Sequence, residues 1–193
     1  MLLKLEKGFD KFANIIGYFT AIVLVLMILN VFYDVIMRYF FKSGSIAMQE
    51  MEWHLFSVVI LFGVSYTLKE DGHVRVDLIY DRLKSKKKAM INMIGALTFI
   101  LPISLLVIFS SIGFAQEAFE FNEISGDPGG LTHRWIIKAM IPLSFTFLII
   151  TTVGFFIRNL NIYLGLHEYE DHSIAHEAQM YKEQISKKMQ GDK

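Results

Sequence analysis

Cysteine is absent from the 193 residues. That excludes disulfides, thiolate metal sites, iron–sulfur clusters and a cysteine nucleophile. Proline occurs three times, and two of the three, Pro102 and Pro142, sit within long apolar runs. Neither sign of charge prevails, with 19 basic against 19 acidic residues, so no global basic footprint for nucleic acid exists. There is no G-x-S-x-G turn, and Gly129-Gly130 in SGDPGGL lacks the G-x-x-x-x-G-K-[ST] pattern that cradles phosphates. Serine-hydrolase and NTPase chemistry are thereby set aside. The most informative scarcity is local. Charged residues make up 20% of the chain yet cluster between long apolar blocks, while 53% of all residues are hydrophobic. Apolar blocks separated by ionic segments are the pattern of an integral membrane protein.

The blocks predict an all-α fold with four transmembrane helices at about 15–37, 49–68, 89–115 and 136–157. A leader, 1–14, precedes this membrane domain (15–157), and a tail, 158–193, follows it. The leader places Leu2, Leu5, Phe9 and Phe12 at helical spacing, with Lys4, Lys7 and Lys11 on another face. Such an amphipathic segment either lies on the cytoplasmic headgroups or frays as a basic leader. The apolar run after it reaches Phe32, longer than a signal-peptide core, and no small-x-small site follows. A retained first helix is therefore expected. Pro102 is tolerable where neighbouring helices satisfy the freed carbonyl, and Pro142 is expected in the first turns of its helix, where proline costs little. The third run is longer than a ~30 Å hydrocarbon core needs, which predicts tilt or extension beyond the membrane.

Topology follows from the basic residues flanking the spans. The leader, the second connection and the tail carry fifteen Lys and Arg, against four (Arg38, Lys42, Arg134, Lys138) in the two opposite connections. The positive-inside rule then makes both termini cytoplasmic. The third connection faces outward and is acidic, with Glu117, Glu120, Glu123 and Asp127.

The stretch from Met48 to Asp77 concentrates the candidate contacts. Its uncharged run, Leu55 to Leu68, spans only about 21 Å at ~1.5 Å per residue. A ~30 Å core thus draws Glu50, Glu52, Trp53 and His54 to one interface, where the carboxylates must face protein, water or headgroups. Glu50 and His54 are i,i+4 and can pair, whereas Glu52 lies about 200° around the helix from Glu50. Three readings are open: subunit contact with Trp53 as an interfacial anchor, headgroup contact alone, or a proton or cation site. The last needs deeper ionisable groups, which the third and fourth spans lack. Asn30, Asp34 and Arg38 are also successive i,i+4 positions, forming either a self-neutralised pair or a stripe that docks a partner helix. Gly63 and Ser65 are small enough for close helix approach, or are ordinary membrane-helix composition.

After Gly72, the residues His73, Arg75 and Asp77 alternate with Val74, Val76 and Leu78, which suggests an extended piece in a specifically folded cytoplasmic loop. Lys84–Lys88 falls where anionic lipid headgroups would be, each charge worth ~1 kcal/mol there. His54 is the lone histidine within a predicted span, so bis-His haem ligation would require a second chain. His167, His172 and His176 in the tail lack the H-E-x-x-H order and read as exposed polar histidines. No cofactor or metal is expected.

Taken together, Arg38-Tyr39-Phe40, QEMEWHLF (49–56), Gly63 and GHVRVD (72–77) resemble the small membrane subunit of tripartite ATP-independent periplasmic (TRAP) transporters, the DctQ family. DPGGLTHRWIIKAMIPL, residues 127–143, is similar to the stretch before the last helix of many such subunits, and the resemblance covers about residues 15–157. Family members often carry adjacent acids at the start of the second helix, whereas here Gln49 precedes Glu50 and the next acid is Glu52. The resemblance implies a sodium-coupled importer of an organic acid in the bacterial or archaeal inner membrane. Its large multi-span subunit would hold the substrate and sodium sites, and a periplasmic binding protein would deliver the solute. This chain would brace the large subunit through residues among Asp34, Arg38, Glu50, Glu52, Trp53, His54 and Gly63. The outer loop, with Glu120, Glu123, Arg134 and Trp135, would help dock the binding protein. The competing classes are a membrane anchor of a redox enzyme and a self-contained small exporter.

Overall fold

The computed structural model describes residues 2–72, 80 and 83–166. The described residues form four long helices: α1 (Leu2–Tyr39), α2 (Ile46–Lys69), α3 (Ser85–Glu120) and α4 (Trp135–Leu164). Each is long and apolar enough to cross a membrane. The alternating path puts the leader, the end of α2, the start of α3 and the end of α4 at one end of the bundle. The 40–45 and 121–134 connections lie at the other.

The leader is not a separate element. With no proline to interrupt it, α1 runs unbroken for 38 residues, about 57 Å at the helical rise. Its first turns pack on α4 instead of lying flat on headgroups or fraying. Buried Glu6 accepts a hydrogen bond from Asn161 Nδ2 at 2.6 Å, and the Phe12 and Phe147 rings meet edge to face at 5.4 Å. The amphipathic pattern still holds, because Lys4, Lys7 and Lys11 are exposed.

Helix α2 ends where Asp71 takes a left-handed conformation (φ 59°), letting the Gly72 N–H reach the Thr67 carbonyl at 3.0 Å. The turn residue is therefore Asp71 and not the neighbouring glycine. Helix α3 is 36 residues long, matching the expected extension beyond the hydrocarbon. It widens into a π-helical turn at Ala96–Ile100, immediately before Pro102. Proline donates no N–H and its ring crowds the carbonyl four residues back, so the extra residue in the turn relieves the clash without breaking the helix. Pro142 lies in the interior of α4, not in its first turn. Gly165, at φ 77°, caps α4 in the left-handed conformation.

Helix α4 is the centre of the bundle, touching α1, α2 and α3, while α1 and α2 also pack on each other. An edge-to-face chain, Phe19–Phe62–Phe147, joins these three helices at centroid distances of 5.5 and 5.7 Å. The close approaches occur at Gly17 and Gly154. A Cβ on Gly17 would lie 2.5 Å from the Tyr66 ring, and one on Gly154 the same distance from Phe9 Cβ. Gly63, expected at a contact with another chain, faces α1, where a Cβ would sit an ordinary 3.7 Å from Thr20. At the basic end, Arg158 donates to the Lys69 carbonyl at 3.0 Å and Asn92 Nδ2 to Asn159 Oδ1 at 2.9 Å. These bonds tie α2 and α3 to α4.

Candidate functional site

The polar residues at the other end of the bundle form two connected clusters. The first joins α1 to α2. Asp34 is buried at 3% exposure and its Oδ2 pairs with Arg38. With its amide oxygen turned toward the guanidinium, Gln49 accepts from Arg38 Nη1 at 2.9 Å. Asn30 Nδ2 donates to the Met48 carbonyl at 3.0 Å. The i,i+4 stripe is thus a self-neutralised pair that also reaches α2. One atom is left over, because Asp34 Oδ1 is buried with no hydrogen-bond partner among the described residues.

The second cluster is built on Glu50, in the first turns of α2. Its Oε1 accepts from the Ser125 hydroxyl, and its Oε2 accepts the Leu131 N–H at 2.6 Å. Ser125 N–H donates to the Leu131 carbonyl at 3.0 Å, and Gly130 N–H to the Asp127 carbonyl, also at 3.0 Å. The 121–134 connection is therefore a closed loop with one carboxylate at its neck. A Cβ on Gly130 would lie 2.5 Å from Ser125 Cβ and 2.8 Å from Glu50 Oε2, so only glycine fits there. Hydrogen bonds to an ionised carboxylate are roughly twice as strong as neutral ones, and Glu50 makes two, to partners about eighty positions away in sequence.

Glu123 anchors the other side of the same loop. It pairs with Lys138, whose Nζ also lies 3.8 Å from the Phe114 ring centroid, and Arg134 Nε is 3.9 Å from its other oxygen. Trp135 meets Phe119 edge to face at 5.2 Å. Three of the four loop residues singled out by sequence, Glu123, Arg134 and Trp135, thus belong to one scaffold. Glu120 is exposed beside it.

The expected partner contacts separate. Trp53 is 70% exposed, with the Phe56 ring edge to face at 6.5 Å, and it projects from the bundle. Glu52 and His54 are half-buried. The hydrogen bond that i,i+4 spacing allows between Glu50 and His54 is not formed; the Glu50 carboxylate bonds the loop instead. His73, Arg75 and Asp77 lie outside the described residues, as do the tail histidines. Ser125 and Gly130, which lock the loop, were not anticipated. Their sequence signal, SGDPGG, marks a turn but not the carboxylate it closes on. Glu6 and Asn161, which join the start of α1 to the end of α4, carry no sequence signal beyond being polar.

Chemically, this arrangement fixes the loop and the helix ends to one another. Between the clusters at the two ends, the spans hold no charged residue, and their buried Ser104, Ser111 and Thr152 donate to carbonyls of their own helix. No group of three or more His, Asp or Glu that could hold a metal occurs among the described residues. These features define a multi-pass membrane protein whose polar groups organise the ends of the bundle. The family model for the DctQ component of tripartite ATP-independent periplasmic transporters matches residues 27–161, and the chain belongs to that family. Two proteins of Haemophilus influenzae, both described as TRAP transporter small permease proteins, are similar to it. One is 30% identical over 138 residues, covering 70% of this chain and 86% of the relative. The other is 30% identical over 93 residues, covering 48% of this chain and 54% of the relative. The chain is accordingly a TRAP transporter small permease subunit of the inner membrane.

Proposed function

We propose that this subunit is the static brace of a sodium-coupled importer of an organic acid, working beside a large multi-span subunit that carries the transport site. Both termini are cytoplasmic in this reading, and the 121–134 loop helps dock a periplasmic binding protein. The observation that carries it is the loop itself. Outward-facing connections of this length are often mobile, yet here Glu50 and Glu123 fix the neck and flank of the loop to two different helices. A preordered surface costs less entropy to dock than a mobile one. The contact with the large subunit is assigned to exposed Trp53 and the Asp34–Arg38 cluster, with Glu52 and His54 beside them, while Glu50 acts through the loop. Transport by the chain alone would require an ionisable path, and the charge-free span interiors supply none.

Copurification in mild detergent tests this reading. A larger multi-span protein should be retained, and Trp53→Ala together with Arg38→Ala should reduce its recovery. Solute flux by this chain reconstituted alone would overturn it.

A further inference from the structure

Because α2 and α3 each pack on α4 and scarcely on each other, a cleft opens between them. Its volume is about 700 Å3, and its walls include Val64 and Leu68 of α2, Ala96 and Ile100 of α3, and Leu148 and Phe155 of α4. The π-helical turn before Pro102 lies in its wall. The cleft follows α4 from Phe155 to Phe145 and α3 from Ile91 to Ser104, which is about 15 to 20 Å at the helical rise. That is roughly the hydrocarbon depth of one leaflet, half of a ~30 Å core. A spanning partner helix would need twice that length.

The mouth differs in chemistry from the interior. Tyr80 OH donates to Asn92 Oδ1, Asn92 Nδ2 to Asn159 Oδ1, and Asn159 Nδ2 to the Phe155 carbonyl, all within 2.9 Å. Tyr80 and Asn92 of this row line the cleft, with Asn159 buried behind them. Beyond it, at the start of α3, Lys84, Lys86 and Lys87 are exposed, and Lys88 holds its Nζ 5.2 Å from the Tyr80 ring centroid. No acidic residue occurs along the chain from Arg82 to Gln116. Among the described residues, the first turn of α3 also has no side-chain cap.

We propose that this cleft seats one acyl chain of an anionic phospholipid, whose phosphate is held by Lys84, Lys86 and Lys87. An apolar slot one leaflet deep, a polar row at one end and an exposed cationic collar match such a lipid part by part. The site belongs to this chain alone and does not depend on the transporter reading.

Gly95 provides a test. It lines the cleft, and a Cβ there would meet nothing within 4 Å, so a large side chain fills the slot without straining the helix. The full chain, purified in detergent, is incubated with phosphatidylglycerol or with phosphatidylcholine of the same chain lengths, and retained lipid is read by native mass spectrometry. Phosphatidylglycerol should be retained at least tenfold better and should raise the melting temperature. Gly95→Phe should abolish retention while leaving the melting temperature in detergent alone unchanged or higher. The exposed triple change Lys84→Gln, Lys86→Gln, Lys87→Gln leaves the bundle packing untouched and should erase the headgroup preference. Equal retention of the two lipids, or undiminished retention in Gly95→Phe or in the triple variant, would overturn the site. So would loss of a copurifying membrane protein from Gly95→Phe with lipid retention intact, since the slot would then seat a helix.

Discussion

At the residue scale, the decisive group is Glu50. Its two oxygens hold Ser125 and Leu131, so removing the carboxylate leaves a hydroxyl and an N–H of the loop without their acceptor. Hydrogen bonds to a charged group contribute about 1.5–3 kcal/mol each. Glu50→Ala is expected to loosen the loop, seen as faster proteolytic cleavage between 121 and 134 with the helical bundle intact. Gly130→Ala should act similarly, because its Cβ has no space beside Ser125 and Glu50. Charge reversal at Glu50 should also weaken the transporter complex more than reversal at Lys87, measured by copurification. Equal losses would remove Glu50 from the working surface. The glycines offer a second contrast. Gly17→Val must push against the Tyr66 ring and should cost about 1–3 kcal/mol as an overpacked contact, whereas Gly63→Ala should change the melting temperature little, its Cβ having ordinary space beside Thr20.

At the scale of elements, the helices were largely legible and their junctions were not. Four apolar blocks predicted four helices because a bilayer demands internally satisfied backbone over a fixed thickness. The expected starts at 15, 49, 89 and 136 fall inside or beside the helices found. The leader was misplaced for a physical reason. Periodicity revealed its apolar face but not which surface would cover it, and lipid headgroups and a neighbouring helix look alike to a single helix. The Asp34–Arg38 pair could be read because both partners share one helix, one turn apart. The Glu50 contacts could not, since local spacing says nothing about partners at positions 125 and 131. The π-helical turn in α3 was hinted at by Pro102 alone. Pro102→Ala removes the clash that the wide turn relieves, and should shift the register of the residues before it, detectable as altered cross-linking between cysteines introduced at Ala96 and Leu148.

For the whole molecule, stability is unevenly shared. Helices α1, α2 and α4 form a mutually packed trio, tied at one end by Glu6–Asn161 and Arg158–Lys69 and in the middle by edge-to-face phenylalanines. Helix α3 has α4 as its chief neighbour. Hydrogen exchange should accordingly find the amides of α3 opening before those of α4. Glu6→Ala should loosen the first turns of α1 by leaving the Asn161 amide unpaired, with little effect on the 121–134 loop at the far end.

The central place of α4 also bears on how the chain is made. The ribosome releases this helix last of the four, so α3 enters the bilayer before the surface that seats it exists, and the Glu6 carboxylate waits through nearly the entire synthesis for its amide. A nascent chain halted ahead of Trp135 would leave α3 without its chief neighbour and the leader without its anchor, exposing to quality-control proteases what the finished subunit conceals.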